Sequence, residues 1–231
     1  MKKIFLTTAM LFSFSFASED LYPTINGCKL EPGTSCPKVD LSNKDLSNLD
    51  LTKANFEGAN FEGANLDGSD LTSANLKKAN FKNAKLRHAI LKQSNMSKTN
   101  LENANLARAD MRNVNLKVTK AINANFDAIN GWAIFGQGAT YDGSSFHGAN
   151  LNFARMSGSS MQNCNLEAAN LEAAWMTKVN FSGANLTNAN LQEVKLPDSS
   201  LIRANLTGAR IHFANFGAVP MDGCINCPTD W

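Results

Sequence analysis

The chain has 231 residues, 22 Lys and Arg against 20 Asp and Glu, and a formal net charge of +2. It is long enough to bury a sizeable core, and its near-neutral charge gives no bulk electrostatic reason to expect a nucleic-acid partner. Beyond the N-terminus, no apolar run is long enough for a membrane-spanning helix.

Met1–Ala17 opens with Lys2 and Lys3 and continues through a short apolar run to Ser15-Phe16-Ala17. A short positive start, an apolar stretch too short to span a bilayer and small residues at the cleavage position predict a secretory signal peptide. The residue after the cut is Ser18 rather than Cys, which argues against a lipid anchor. The predicted address is therefore exported, periplasmic or extracellular, in a bacterium. Such a compartment is oxidising. Cys28 and Cys36 flank the turn-rich KLEPGTS, and a disulfide between them is expected. Cys224 and Cys227 offer a second bridge near the C-terminus, and Cys164 stands alone between the pairs. The expected organisation is signal peptide 1–17, N-terminal cap 18–38, repeat region 39–221 and C-terminal cap 222–231.

The repeat region has a period of five. Every fifth residue from Leu41 to Met221, 37 positions in one phase, is bulky and apolar except Ala121, Gly131 and Gly136. Two residues earlier the slot is small, as in Ala54, Ala59, Ala64 and Ser69, and the residue between is usually Asn or Asp. Each unit thus reads small-in, polar-out, large-in, the alternation of a very short strand. Two residues remain for a corner. The second is often Gly (58, 63, 68, 143) or Asn (43, 48, 83, 103), types that accept the positive φ a tight turn requires. A helix is excluded, since this density of Gly and Asn would break it and five matches no helical period.

Charge is uneven. Residues 38–70 carry seven acids and three bases, whereas residues 76–120 carry eleven bases and two acids. At 129–136 (INGWAIFG) the centre slots hold Gly131 and Gly136 while the small slots hold Ile129 and Ile134. Large and small exchange places, so volume is roughly kept.

Units such as Ala54-Asn55-Phe56-Glu57-Gly58 and Ala184-Asn185-Leu186-Thr187-Asn188 resemble the pentapeptide-repeat family over about four-fifths of the chain. The resemblance implies an all-β fold, a right-handed quadrilateral β-helix (β-solenoid) with four units and twenty residues per coil. About nine coils at roughly 4.8 Å each give a rod near 43 Å long. On that geometry Glu57–Lys77, Glu62–Lys82, Asp67–Arg87 and Lys82–Glu102 become neighbours in successive coils. Cross-coil charge ladders explain the basic belt better than a bound anionic polymer does. Steps of twenty also place Phe135, Arg155, Trp175 and Lys195 in one outward column, with Trp132 and Phe153 at the adjoining corner. An aromatic and cationic patch on a polar rod is a candidate binding surface. The plainer alternative is that these aromatics only cover the altered coil.

No catalytic site, metal site or cofactor is expected. His88, His147 and His212 fall in different coils. Asp50 and Asp70 stack as neighbours on a solvated face without a cleft, and Cys164 occupies an inward slot. The reading is a non-enzymatic exported protein that offers a rigid surface to a protein or an envelope polymer, with no nucleic-acid partner. The family also contains DNA-shaped gyrase inhibitors, which need an acidic face and a cytoplasmic address. A polysaccharide-cleaving β-helix would need long loops to build a cleft.

Overall fold

The computed structural model of the chain describes residues 22–228; the segment read as a signal peptide (1–17), residues 18–21 and residues 229–231 lie outside the described residues. The fold is a quadrilateral β-helix. Parallel bridges join outward residues twenty positions apart, from Ser35↔Asn55 to Asn205↔Ile225, with a gap at Ser200 and Pro220. Four columns of bridges make four faces, so the period of five closes at twenty. Bridging thus begins inside the segment read as the N-terminal cap and continues four residues into that read as the C-terminal cap.

The expected short strands contract further than the alternation predicts. On each face only the outward residue forms a bridge. The two regular strands among the described residues, β1 (Thr24–Ile25) and β2 (Cys28–Lys29), form an antiparallel hairpin before the first coil. Its turn is Asn26-Gly27 with φ of 51° and 77°, the residue pair favoured where both turn positions need positive φ. A Cys28–Cys36 disulfide and an Asn26 Nδ2 hydrogen bond to the Asp40 carbonyl (2.6 Å) tie this hairpin to the coils.

So little strand suffices because the amides are paired between coils and across the corners. In the unit 56–60, the Phe56, Gly58 and Asn60 amides donate to Asn75, Lys77 and Val39 carbonyls in the coils above and below, and the Ala59 amide closes the corner on the Phe56 carbonyl. The fifth, Glu57 N–H, donates to Asn55 Oδ1 (3.3 Å). The Asn or Asp of the outward slot therefore caps the one amide that the backbone leaves unpaired, and a buried or half-buried amide left unpaired is costly. The same side chains also form ladders between coils, as in Asn75 Nδ2 to Asn55 Oδ1 (2.9 Å).

The centre slots and nearly all small slots from Leu51 to Leu206 point inward, in one core cluster that runs from Cys28 to Phe216; in the first coil Lys44 holds a small slot and is exposed. Phe61 stacks on Phe81 and Phe126 on Phe146, each at 4.7 Å between ring centroids, so identical slots repeat at the coil spacing. Several hydroxyls in the small slots find partners within the core: Ser69 Oγ donates to the Leu66 carbonyl (2.8 Å) and Thr99 Oγ1 to that of Met96 (2.7 Å), whereas the buried hydroxyls of Ser94 and Ser159 have none.

One expectation holds more widely than stated, and one needs correction. The second corner residue has positive φ whatever its type, including Val118 (59°), Phe153 (58°) and Phe213 (58°). Closure of the coil dictates the conformation, and Gly or Asn only relieves its cost. Of the expected charge pairs, Lys77–Glu57 (3.5 Å), Arg87–Asp67 and Lys82–Glu102 (3.9 Å) form. Glu62 instead accepts a hydrogen bond from Asn80 Nδ2 (3.1 Å).

Candidate binding face

One outward column departs from the amide ladder. It holds Asn55, Asn75, Asn95 and Asn115, then Phe135, Arg155, Trp175 and Lys195, then Asn215, joined in that order by coil-to-coil bridges. The four exceptional side chains alternate ring and cation. The Arg155 guanidinium carbon lies 5.6 Å from the Phe135 ring centroid and 5.7 Å from that of Trp175, and Lys195 Nζ lies 4.5 Å from Trp175. A cation over an aromatic face is attracted by the ring quadrupole, by about 0.5–1 kcal/mol at exposed sites. Trp175 is 50% exposed, and Arg155 and Lys195 are exposed, while Phe135 is half-buried.

Trp132 and Phe153 occupy the corner that leads into this face. Their ring centroids are 6.1 Å apart, and they are 42% and 50% exposed. The face and its preceding corner thus carry all six residues singled out from the sequence. The structure adds Lys117, whose Nζ lies 5.9 Å from the Phe135 ring and extends the ladder downward from the following corner. It also adds a groove of about 510 Å³ below Trp132, lined by Lys92, Gln93, Arg112, Asn113 and Asn130 among others. Their signal was available: 92, 112 and 132 share one slot at steps of twenty.

The patch gives up the side-chain cap while its coil-to-coil bridges continue. Phe135, Arg155, Trp175 and Lys195 cannot accept the amide two residues on, which Asn55 does for Glu57. At Lys195 that position is Pro197, which has no amide to satisfy. At other exceptions an acid one coil earlier substitutes: Asp67 Oδ1 accepts from Arg87 N (2.7 Å), and Asp142 Oδ1 from Gln162 N (3.0 Å).

The altered coil nearby is filled from within. A Cβ added at Gly131 would lie 3.0 Å from Leu151 Cδ2 and 3.2 Å from Ile129 Cδ1. A Cβ at Gly136 would lie 2.5 Å from the Tyr141 hydroxyl oxygen. The enlarged small slots and Tyr141 thus occupy the volume that the glycines vacate. Tyr141 is fully buried, its hydroxyl has no hydrogen-bond partner, and burial raises its phenol pKa well above the usual value. This buried hydroxyl was not anticipated from the sequence.

The remaining candidates do not assemble a reactive centre. Asp50 and Asp70 bridge, and each accepts the amide of Thr52 or Thr72 (3.1 and 2.8 Å) in the capping role described above. His88 and His147 line one open groove with Arg87 and Arg108. No group of His, Cys, Asp and Glu among the described residues could hold a metal ion. Cys164 is buried, its thiol donates to the Tyr141 carbonyl (3.0 Å), and burial pushes its pKa up to about 12. Cys224 and Cys227 are joined. No helix among the described residues is long and apolar enough to cross a membrane.

No curated protein matches the chain. Among solved structures it is similar to HetL, a pentapeptide repeat protein involved in heterocyst differentiation regulation in the cyanobacterium Nostoc. That likeness has 24% identity, a TM-score of 0.50 and coverage of 82% of this chain and 88% of HetL. It is also similar to a pentapeptide repeat protein of the Arabidopsis thaliana thylakoid lumen (34% identity, TM-score 0.40, 40% of this chain and 65% of that one). A third is QnrB1, a plasmid-mediated fluoroquinolone resistance protein (15% identity, TM-score 0.39, 83% and 91%). The family model of pentapeptide repeats matches eight overlapping copies that together span 38–130 and 137–219, and it breaks off only at 131–136, where the two glycines replace bulky core residues. With that match over well more than half its length, the chain belongs to the pentapeptide-repeat family.

Proposed function

We propose that this is a non-enzymatic, exported interaction protein. It is a rigid rod of about nine coils that presents Phe135, Arg155, Trp175 and Lys195, with Trp132 and Phe153 at the corner, to a protein or an envelope polymer. The observation that carries the proposal is local: one column changes from amides to alternating rings and cations over four successive coils. Folding does not require these residues. Asn caps an amide at that slot and they do not, and Phe153 holds a corner conformation that Gly adopts more cheaply. Export is supported by the features of Met1–Ala17 and by the disulfide of the N-terminal hairpin. A DNA mimic needs a strongly acidic face, and this face is basic.

The test is a pull-down from an envelope extract with the mature chain and with a Trp132→Ala, Phe135→Ala, Trp175→Ala triple variant. The variant is expected to fold and to lose the captured partner. Equal capture by both would remove the patch from the function. N-terminal sequencing of the exported protein should begin at Ser18; a cytoplasmic chain starting at Met1 would refute the address.

A further inference from the structure

Folding the sequence at twenty residues per coil sorts its charges by side. Between residues 72 and 158, the candidate face and its two corners carry seven bases and no acid. The opposite face with its corners, over 82–168, carries four of each. Net charge near zero thus conceals one basic side. Part of that charge is already compensated: Lys77 pairs with Glu57, and Arg112 holds Asp110 through two hydrogen bonds (2.8 and 2.7 Å). Lys78, Lys92 and Lys98 form no ion pair among the described residues. They stand on the two corners, one row on either side of the Asn75–Asn95–Asn115 ladder.

We infer that the partner of this face is an acidic polysaccharide lying along the rod. The inference rests on the patch reading above and names its ligand. Three features converge. Exposed rings at Trp132, Phe153 and Trp175 offer flat apolar surfaces for the C–H faces of sugar rings. The groove beneath Trp132 adds the amides of Gln93, Asn113 and Asn130, which both donate and accept and so suit hydroxyls, and its 510 Å³ falls in the range of small-ligand sites. Lys92 in the same groove, with Lys78 and Lys98 on the far corner, supplies cations for carboxylates along the polymer, while Arg112 stays with Asp110. An acidic peptide would meet the cations equally well but would leave the ring and amide pairing unused. A repeating ligand also matches a surface whose slots recur at every coil.

The probe is polygalacturonate, titrated into the mature chain by calorimetry at low and moderate salt. Its carboxyl-reduced product and poly-L-glutamate are the comparisons. Polygalacturonate is expected to bind and to weaken about tenfold between 50 and 200 mM salt, since exposed charges are screened. The carboxyl-reduced polymer and poly-L-glutamate are each expected to bind at least tenfold more weakly. A Lys78→Ala, Lys92→Ala, Lys98→Ala variant should lose at least tenfold, as should Trp132→Ala, while Lys85→Ala with Arg108→Ala on the opposite side should match the parent. Absence of polygalacturonate binding overturns the inference. Equal binding of poly-L-glutamate, or full retention by Trp132→Ala, also overturns it and leaves a general polyanion surface. The envelope pull-down reads the patch independently of ligand, so a partner lost by the aromatic triple variant, with no polygalacturonate binding, removes the glycan and keeps the patch.

Discussion

The buried hydroxyl of Tyr141 makes a quantitative test of the altered coil. It lies in the core with no hydrogen-bond partner, at the place a side chain on Gly136 would occupy. A buried polar group left unpaired costs about 1–3 kcal/mol. Tyr141→Phe removes that cost and leaves a void of one oxygen atom, so a net gain of about 1 kcal/mol is expected. For a chain of this size that is a rise of about 2–4 °C in melting temperature, measurable by circular dichroism. Gly136→Ala alone should cost about 1–3 kcal/mol by overpacking, because the new methyl would meet the hydroxyl at 2.5 Å. In the Tyr141→Phe background the 2.5 Å contact is gone, and Met156 Cγ and Cε at 3.3 Å belong to a side chain that yields readily. The two changes should therefore couple by about 1 kcal/mol or more. A Tyr141→Phe protein that melts below the parent, or effects that add within about 0.5 kcal/mol, would refute this account of how the coil is filled.

Phase along the rod is checked by Leu101→Asp, which buries an unpaired charge and should cost more than about 4 kcal/mol, against Glu102→Ala one residue later, which should leave the melting temperature nearly unchanged; similar melting of the two would contradict the assignment. Phe153→Gly should stabilise by about 1 kcal/mol, since it relieves a φ of 58°, while weakening capture of the partner. A loss of stability in that variant would mean that Phe153 serves the fold. Cys164 should resist thiol reagents until the protein unfolds, because burial keeps it protonated. Its folded pKa of about 12 exceeds the ordinary value of 9.0, so the unfolded state releases the proton first. This contribution to stability is intact below pH 9 and is lost as pH rises toward 12. Cys164→Ala should flatten that part of an alkaline denaturation profile.

The repeat phase, the inward slots and the outward column were legible because the period never slips between Leu41 and Met221. The hairpin disulfide was legible because the expected export signal and the turn residues both pointed to it. Three features were hidden, each for its own reason. The amide-capping role of Asn55 and its counterparts depends on corner geometry, and the letter Asn alone does not reveal it. Positive φ at Val118 is imposed by closure of the coil against the preference of the residue, so composition points the other way. The one-sided charge appears only when the chain is folded at twenty, since Lys78, Lys92 and Lys98 lie in one belt of sequence with Lys82 and Lys85 yet belong to different sides.

The twofold arithmetic of the rod, five for the core and twenty for the surface, constrains how such a chain can change length. Removing one unit of five leaves every inward slot filled and every corner turning. It also rotates all later coils by a quarter turn against the earlier ones. A deletion between Phe135 and Arg155 would preserve the fold while moving Arg155, Trp175 and Lys195 to a neighbouring side, away from Phe135. Only a gain or loss of twenty residues conserves both. Stability thus tolerates drift in steps of one unit, whereas a recognition surface written down a column is inherited in whole coils.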